Sequence, residues 1–311
     1  MTFIKLKIKN FFKKFETVKI LLGLKNTKKM FDLINKSKFN YYDEDKNQIL
    51  INFKVDDKNY ELITNKFDFR SHKISSGRQN HKILFLVKYL KKGYFFDIGS
   101  NYGEFSIVLQ KTQNTVYAFE PNRYVFDCLK ENSKNFINMK VFNKAISDIE
   151  GETLIKNKFL NSGGTSIEHK KLHKKIYSFQ DFISSFNLPE IVKTIEIKRF
   201  MENELNNENE IINIKIDVEG HETSILENIL SYKNLTKNKI FIMYESFNHH
   251  ISDKNKMLNI LKEFEQKNFL FVKIPSQIVD YDKFKHEYTP LDKINLDEDC
   301  EICLTNYDIF G

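Results

Sequence analysis

Long apolar runs are missing from this chain of 311 residues. The longest uncharged stretch near its N-terminus, Ile20 to Leu24, is far too short for a signal-peptide core or a membrane span, and no small-residue cleavage site follows it. Secretion is therefore not expected. Cysteine is scarce as well: Cys128, Cys300 and Cys303 cannot build a disulfide framework, which points to a reducing cytoplasm. Cys300 and Cys303 form a CxxC, but no second pair or histidine set accompanies it as a zinc site requires. In EDCEICLTNY the two thiols are expected on opposite faces of a strand. Arginine is sparse and no nucleic-acid motif occurs, so nucleic acid is not an expected partner. Repeats, low-complexity linkers and the GxGxxG fingerprint of dinucleotide sites are also absent.

What is present begins with charge. Lys+Arg 49 against Asp+Glu 42 gives a formal +7. That suits either an ordinary solvated surface or a basic face for an anionic partner, such as a nucleotide-sugar, a phosphorylated glycan or a membrane surface. In the first 29 residues Phe11, Phe12, Phe15, Val18 and Leu22 recur at helical spacing with lysines opposite. Such a helix can lie on an anionic membrane or pack on its own domain or a partner subunit.

The hydrophobic pattern divides the chain into an N-terminal extension, residues 1–80, and a main domain, 81–311. The extension reads as a basic helix, a polar turn from Tyr41 to Asn47, and the short strands ILINFKV and NYELITNKF, with no legible chemistry. From residue 81 a βαβαβ alternation begins. Helix His81–Leu90, strand Tyr94–Ile98, helix Glu104–Gln110, strand Thr115–Phe119, helix Arg123–Asn132 and strand Lys140–Ile146 follow in turn. Gly151 to Ser166 interrupts it as a hairpin or loop, and a short strand is expected at Ile195–Phe200. Alternation then resumes with strand Ile211–Ile216, helix Thr223–Leu230, strand Lys239–Tyr244, helix Lys256–Lys267, strand Phe269–Ile274 and a last strand Glu301–Asn306. The expected fold is an open α/β sheet with helices on both faces.

In such sheets the first strand–turn–helix junction is the usual cofactor site. Here it is YFFDIGSNYGEFS, Tyr94 to Ser106, with glycines four apart rather than in GxGxxG. Glu120, at the end of the second strand, suits a ribose diol. An unpaired carboxylate at the end of a buried strand is costly, so Asp97 and Glu120 are each expected to have something bound to them.

The ordered set FFDIGSNYGEFS, AFEPN, NKAISD, GGTSI and KIDVEGHE resembles the FkbM family of class I S-adenosylmethionine-dependent methyltransferases, over roughly residues 80–305. The resemblance implies a Rossmann-like sheet, mostly parallel with an antiparallel last strand, and S-adenosylmethionine as cofactor. It implies that Asp97, Gly99, Ser100, Asn101 and Gly103 border the methionine part of that cofactor and that Glu120 takes the ribose. It places Ser147 and Asp148 near the adenine, with Ala145 or Ile146 as alternative sources of that contact and a plain turn as the other reading of Asp148.

KIDVEGHE also carries the candidate chemistry, because methyl transfer to a hydroxyl needs a base beside the acceptor. Asp217 and Glu219 are expected to line the site, and His221, kept neutral by a helix N-terminus, is a candidate base. Glu222 in the first helical turn fits ordinary capping. Glu245 ends the next strand, with His249 and His250 close behind, and Glu245 with His249 leaves a divalent-metal site open; no metal is otherwise expected. The polar loop Asn161 to Thr165 reads either as a cover for the cofactor or as a turn.

The family association suggests O-methylation of a sugar hydroxyl in a cell-surface glycan or nucleotide-sugar precursor. The acceptor would be a small molecule or glycan, anionic ones included, and the protein cytoplasmic or at the inner face of the membrane, in contact through its basic helix. Two other classes stay open: an NAD(P)-dependent oxidoreductase and a non-catalytic membrane-associated binding module. Oligomeric state is not legible.

Overall fold

The structure is a computed structural model, and it describes residues 40–158, 161–167, 187–205, 207–248, 251–276 and 285–311. The basic N-terminal helix, His249 and His250 lie outside the described residues.

A seven-stranded sheet organises the fold, in the order β13-β14-β12-β11-β4-β5-β6. Its parallel centre is β11 (Ile211–Ile216) between β12 (Lys239–Ser246) and β4 (Tyr94–Ile98), followed outward by β5 (Thr115–Phe119) and β6 (Met139–Phe142). The last strand, β14 (Cys300–Thr305), inserts between β12 and β13 (Leu270–Pro275) and runs antiparallel to both. This is the expected mostly parallel, Rossmann-like sheet. Both faces are covered, so its central strands are near-continuous apolar runs, and their alternation sorts side chains into two layers.

Phe96, Ile98, Ile214 and Ile216 face one layer, packed on helices α5 (Ile197–Glu204), α6 (Glu222–Leu230) and α7 (Lys254–Gln266). Phe95, Val116, Ala118 and Met243 face the other, against α2 (Asn80–Tyr89), α3 (Glu104–Leu109) and α4 (Arg123–Ser133). Cys300 belongs to the first layer and Cys303 to the second, so the CxxC straddles the sheet as its spacing implies.

The N-terminal strands β1 (Asn40–Asp43), β2 (Gln48–Val55) and β3 (Lys58–Asn65) form an antiparallel meander, followed by α1 (Phe69–Ser75). Ile49, Phe53, Leu62 and Ile74 are buried in the same layer as Phe95 and Leu129. Burial on one shared core ties this segment to the main sheet.

Two expectations are corrected. KVFNKAI is not one strand: β6 stays in the main sheet, and β7 (Ala145–Ser147) joins a second sheet of order β7-β10-β8-β9. The break falls at Asn143, whose side-chain amide donates to the carbonyls of Glu120 and Pro121 and turns the chain out of the sheet. Ile195–Phe200 is not a strand either. β10 (Asn187–Glu196) ends there and α5 begins, because Ile197 and Met201 bury together at helical spacing and Asn228 Oδ1 accepts from the Lys198 amide. The interruption at 151–166 is the antiparallel pair β8 (Gly151–Lys158) and β9 (Ser166–Ile167), with a 3-10 turn at Ser162–Gly164 between them. No described helix is long and apolar enough to cross a membrane.

Gly99 closes the sheet's central crevice. Its φ is +75°, and a Cβ there would lie 1.9 Å from the Asp217 carbonyl oxygen. The Gly99→Ala variant is expected to lose about 3 kcal/mol or more from left-handed strain plus the clash. Urea denaturation checks this, with Ser100→Ala as the control expected to lose much less.

Candidate functional site

The turn after β4 is held by charge as well as by glycine. Asp97 is fully buried, and it is paired inside the chain: Lys215 Nζ lies 3.1 Å from its Oδ1, and Ser106 Oγ donates to its Oδ2 at 2.6 Å. Lys215 also donates to the Gly99 carbonyl at 3.1 Å and stands 3.7 Å from Asp217. Burial works against the Lys215 charge, but Asp97 and Asp217 outweigh it and raise its pKa. The partner that the Asp97 carboxylate requires is thus a lysine of the same chain.

Glu120, just beyond β5, is held by backbone donors. Its two oxygens accept from the amides of Asn101 (2.9 Å) and Asn122 (2.8 Å), and Asn101 adopts φ +51° to make the contact. Burial pushes the Glu120 carboxyl up to about 7 despite these bonds.

A cleft of about 620 Å³, including its open mouth, lies over this rim. Gly99, Asn101 and Glu120 line one wall, and Phe119, Pro121, Ala145, Ile146, Ile155 and Ile167 supply apolar surface. Asp217, Val218 and Glu219, at the end of the adjacent strand β11, line the cleft too, Ser162, Gly163 and Thr165 border it, and Arg70 and Lys144 are its cationic lining residues.

The candidate residues therefore divide. Gly99, Asn101, Glu120, Asp217 and Glu219 face the cleft. Asp97, Ser100 and Gly103 lie behind it: Asp97 is consumed by Lys215, the Ser100 amide bonds the Phe119 carbonyl, and Gly103, with φ +91°, caps α3 against Leu129. Ser147 and Asp148 turn away, towards His221. Its Nε2 lies 3.1 Å from Ser147 Oγ and 3.7 Å from Asp148 Oδ1, which leaves this buried imidazole off the cleft lining. At this end Ala145 and Ile146 face the cleft instead. Glu222 accepts from the amides of Val218 and Gly220 and so braces its own turn.

Around Asp217 the acids accumulate. Carboxylate oxygens of Asp217, Glu219 and Glu245 lie within 4.8 Å of one another, an oxygen set of the kind hard divalent cations take. Lys82 Nζ is already 3.4 Å from Glu245 and pairs closely with Glu301. Burial raises the Glu245 pKa well above the ordinary range, and neighbouring Asp217, Glu301 and Glu219 add to it while Lys82 opposes. Arg70 pairs with Glu104 at 2.9 Å, both buried. Asp68, the N-cap of α1, binds three elements together: its carboxylate accepts from the amides of Arg70 (2.9 Å) and Ser162 (3.1 Å) and from the Tyr102 hydroxyl (2.6 Å).

Asp68, Arg70, Lys82 and Glu301 carry no signal that singled them out in the sequence. Lys215 did: a lysine inside the apolar strand IINIKI is improbable without a buried partner.

Removing one partner of a buried ion pair typically costs about 3–5 kcal/mol, because the other charge stays behind. Lys215→Met is expected to lose that much in urea denaturation, and adding Asp97→Asn to it should recover part of the loss. Additive losses would show that the two side chains are not coupled.

The sequence matches the family model described as Methyltransferase FkbM domain over residues 97–271, more than half of the chain. No curated protein matches it. Among solved structures the chain is similar to an rRNA methylase from Streptococcus thermophilus, at 10% identity and TM-score 0.36, covering 73% of this chain and 93% of that one. It is similar also to a SAM-dependent O-methyltransferase from Thermotoga maritima, at 9% identity and TM-score 0.37, covering 79% and 73%. A third is the tRNA (uracil-54, C5)-methyltransferase of Pyrococcus abyssi in complex with S-adenosyl-L-homocysteine, at 10% identity and TM-score 0.40, covering 82% and 44%. The protein belongs to the FkbM methyltransferase domain family.

Proposed function

We propose that this methyltransferase moves the methyl group of S-adenosylmethionine to a sugar hydroxyl of a cell-surface glycan or nucleotide-sugar precursor, in the cytoplasm or at the inner face of the membrane. The cofactor supplies an electrophilic methyl group on a positively charged sulfonium. Glu120, fixed by two amides and facing the cleft, is placed to accept the hydroxyls of a ribose. Ala145, Ile146, Ile155 and Phe119 offer an apolar bed for a flat base.

The observation that carries the reading is that Asp217 and Glu219 line the same cleft as Glu120 and the glycine turn. A hydroxyl must lose its proton as the new bond forms, and a carboxylate within reach can take it. Glu219 is the base in this reading: it is held at φ +55°, backbone strain of the kind that gathers at functional loops. Asp217 orients the acceptor hydroxyl. His221, bonded to Ser147 away from the cleft, holds the turn instead. Carboxylates that accept from neighbouring hydroxyls also suit a sugar, and the formal +7 favours an anionic precursor.

Methyl-labelled cofactor incubated with an envelope-glycan or nucleotide-sugar pool should deliver label to a sugar hydroxyl; label found only in RNA or protein would refute the acceptor class. Glu219→Gln is expected to cut kcat by about 10²–10⁴ while leaving S-adenosylhomocysteine affinity within about twofold. His221→Asn should lose far less.

Glu120 binds a diol as the anion, so its protonation competes with the ligand. With its pKa at about 7, the ionised fraction grows as pH rises through neutrality. S-adenosylhomocysteine should bind about tenfold more tightly at pH 8 than at pH 6, by calorimetry. In Glu120→Gln the affinity should fall and this slope should vanish.

A further inference from the structure

We infer that Arg70, together with Asn101, forms a receptor for the aminocarboxylate end of the methyl donor, so that the segment preceding the family domain completes the donor site. The inference rests on the S-adenosylmethionine reading above, and Arg70 lies outside the matched residues 97–271.

Three buried polar atoms on cleft-lining residues lack any hydrogen-bond partner, Arg70 Nε, Asn101 Oδ1 and Thr165 Oγ1, and the first two are opposite in kind. Arg70 Nε is a donor and Asn101 Oδ1 an acceptor, on residues only 8% and 9% exposed. Orphaned groups this deep are costly unless a ligand satisfies them. A donor for a carboxylate and an acceptor for an ammonium in one cleft complement an amino-acid zwitterion.

The rest of the lining offers the carboxylate no other cation at the glycine-turn end. Glu120, Asp217 and Glu219 repel it. The other lining cation, Lys144, sits beside Asn143, which bonds the Glu120 carbonyl, and Ala145, at the end with the apolar bed. Arg70 belongs to the glycine-turn end, where Nη2 is held by Glu104 at the start of α3. That bond fixes the plane of the guanidinium while Nε stays unpartnered, so the fork is preorganised. Asn101 is set in the same way: its Nδ2 donates to Ser162 Oγ at 2.9 Å, which leaves Oδ1 unengaged. Asp68 binds the Arg70 amide, the Ser162 amide and Tyr102, and thereby ties both groups to one frame.

Calorimetry on the full chain with S-adenosylhomocysteine and with 5′-methylthioadenosine, the same nucleoside thioether without the aminocarboxylate, separates this role from a structural one. Arg70→Met should weaken S-adenosylhomocysteine about 10- to 100-fold, the worth of a hydrogen bond to a charged group, and leave methylthioadenosine within about twofold. Equal weakening of both ligands, or of neither, overturns the inference. Should Arg70→Met fail to fold, Arg70→Lys decides, since it keeps the charge beside Glu104 and loses the fork. Its selectivity between the two ligands should fall several-fold, and an unchanged ratio overturns the inference. A wild-type chain that binds neither ligand would instead sink the donor reading itself, which distinguishes the two failures.

Discussion

The ammonium of Lys215 is the interaction on which the crevice depends. Placed at the end of the central strand, it compensates Asp97 on the neighbouring strand, approaches Asp217 on its own, and bonds the carbonyl of Gly99 between them. Taking three charges out of water is unfavourable, and mutual attraction repays it only when geometry is fixed. That condition gives the turn its rigidity. The backbone around Gly99 and Asn101 is held before any ligand arrives, which is the state a site for group transfer requires.

A second consequence is electrostatic. Glu104, Asp217, Glu219, Glu245 and Glu301 gather on one side of the crevice, and the cations that answer them, Arg70 and Lys82, come from the segment before β4. The N-terminal meander is therefore more than a cover for the apolar layer it shares with Phe95. It carries α1, and α1 carries Asp68 and Arg70 to the glycine turn. In the proposed reaction a positively charged donor enters a site whose carboxylates outnumber its ammonium and guanidinium groups, and its thioether product, S-adenosylhomocysteine, leaves with one positive charge fewer.

Much of this was legible in order along the chain. The strand runs, the glycine turn and KIDVEGHE could be placed because hydrophobic period and glycine position are local properties. The errors were local too: KVFNKAI has the composition of one strand, and the Asn143 side chain, bonded to carbonyls just beyond the neighbouring strand β5, divides it. Asp97 was correctly seen to need a partner, but the partner was taken to be the cofactor. His221 has the chemistry of a base, yet Ser147 and Asp148, brought close by the second sheet, turn it from the cleft.

By itself the sequence determined the family and the parallel sheet with its antiparallel last strand, and it put Gly99, Asn101, Asp217 and Glu219 forward as candidate site residues. Each of those is written in a contiguous segment whose spacing or motif is sufficient. The tertiary structure alone decided which lysine answers Asp97, which acids surround Glu245, and that Arg70 reaches the glycine turn. Ion pairs and orphaned donors are fixed by distances between segments far apart in the chain, and hydrophobic periodicity specifies which face a residue takes but not which charge it meets there.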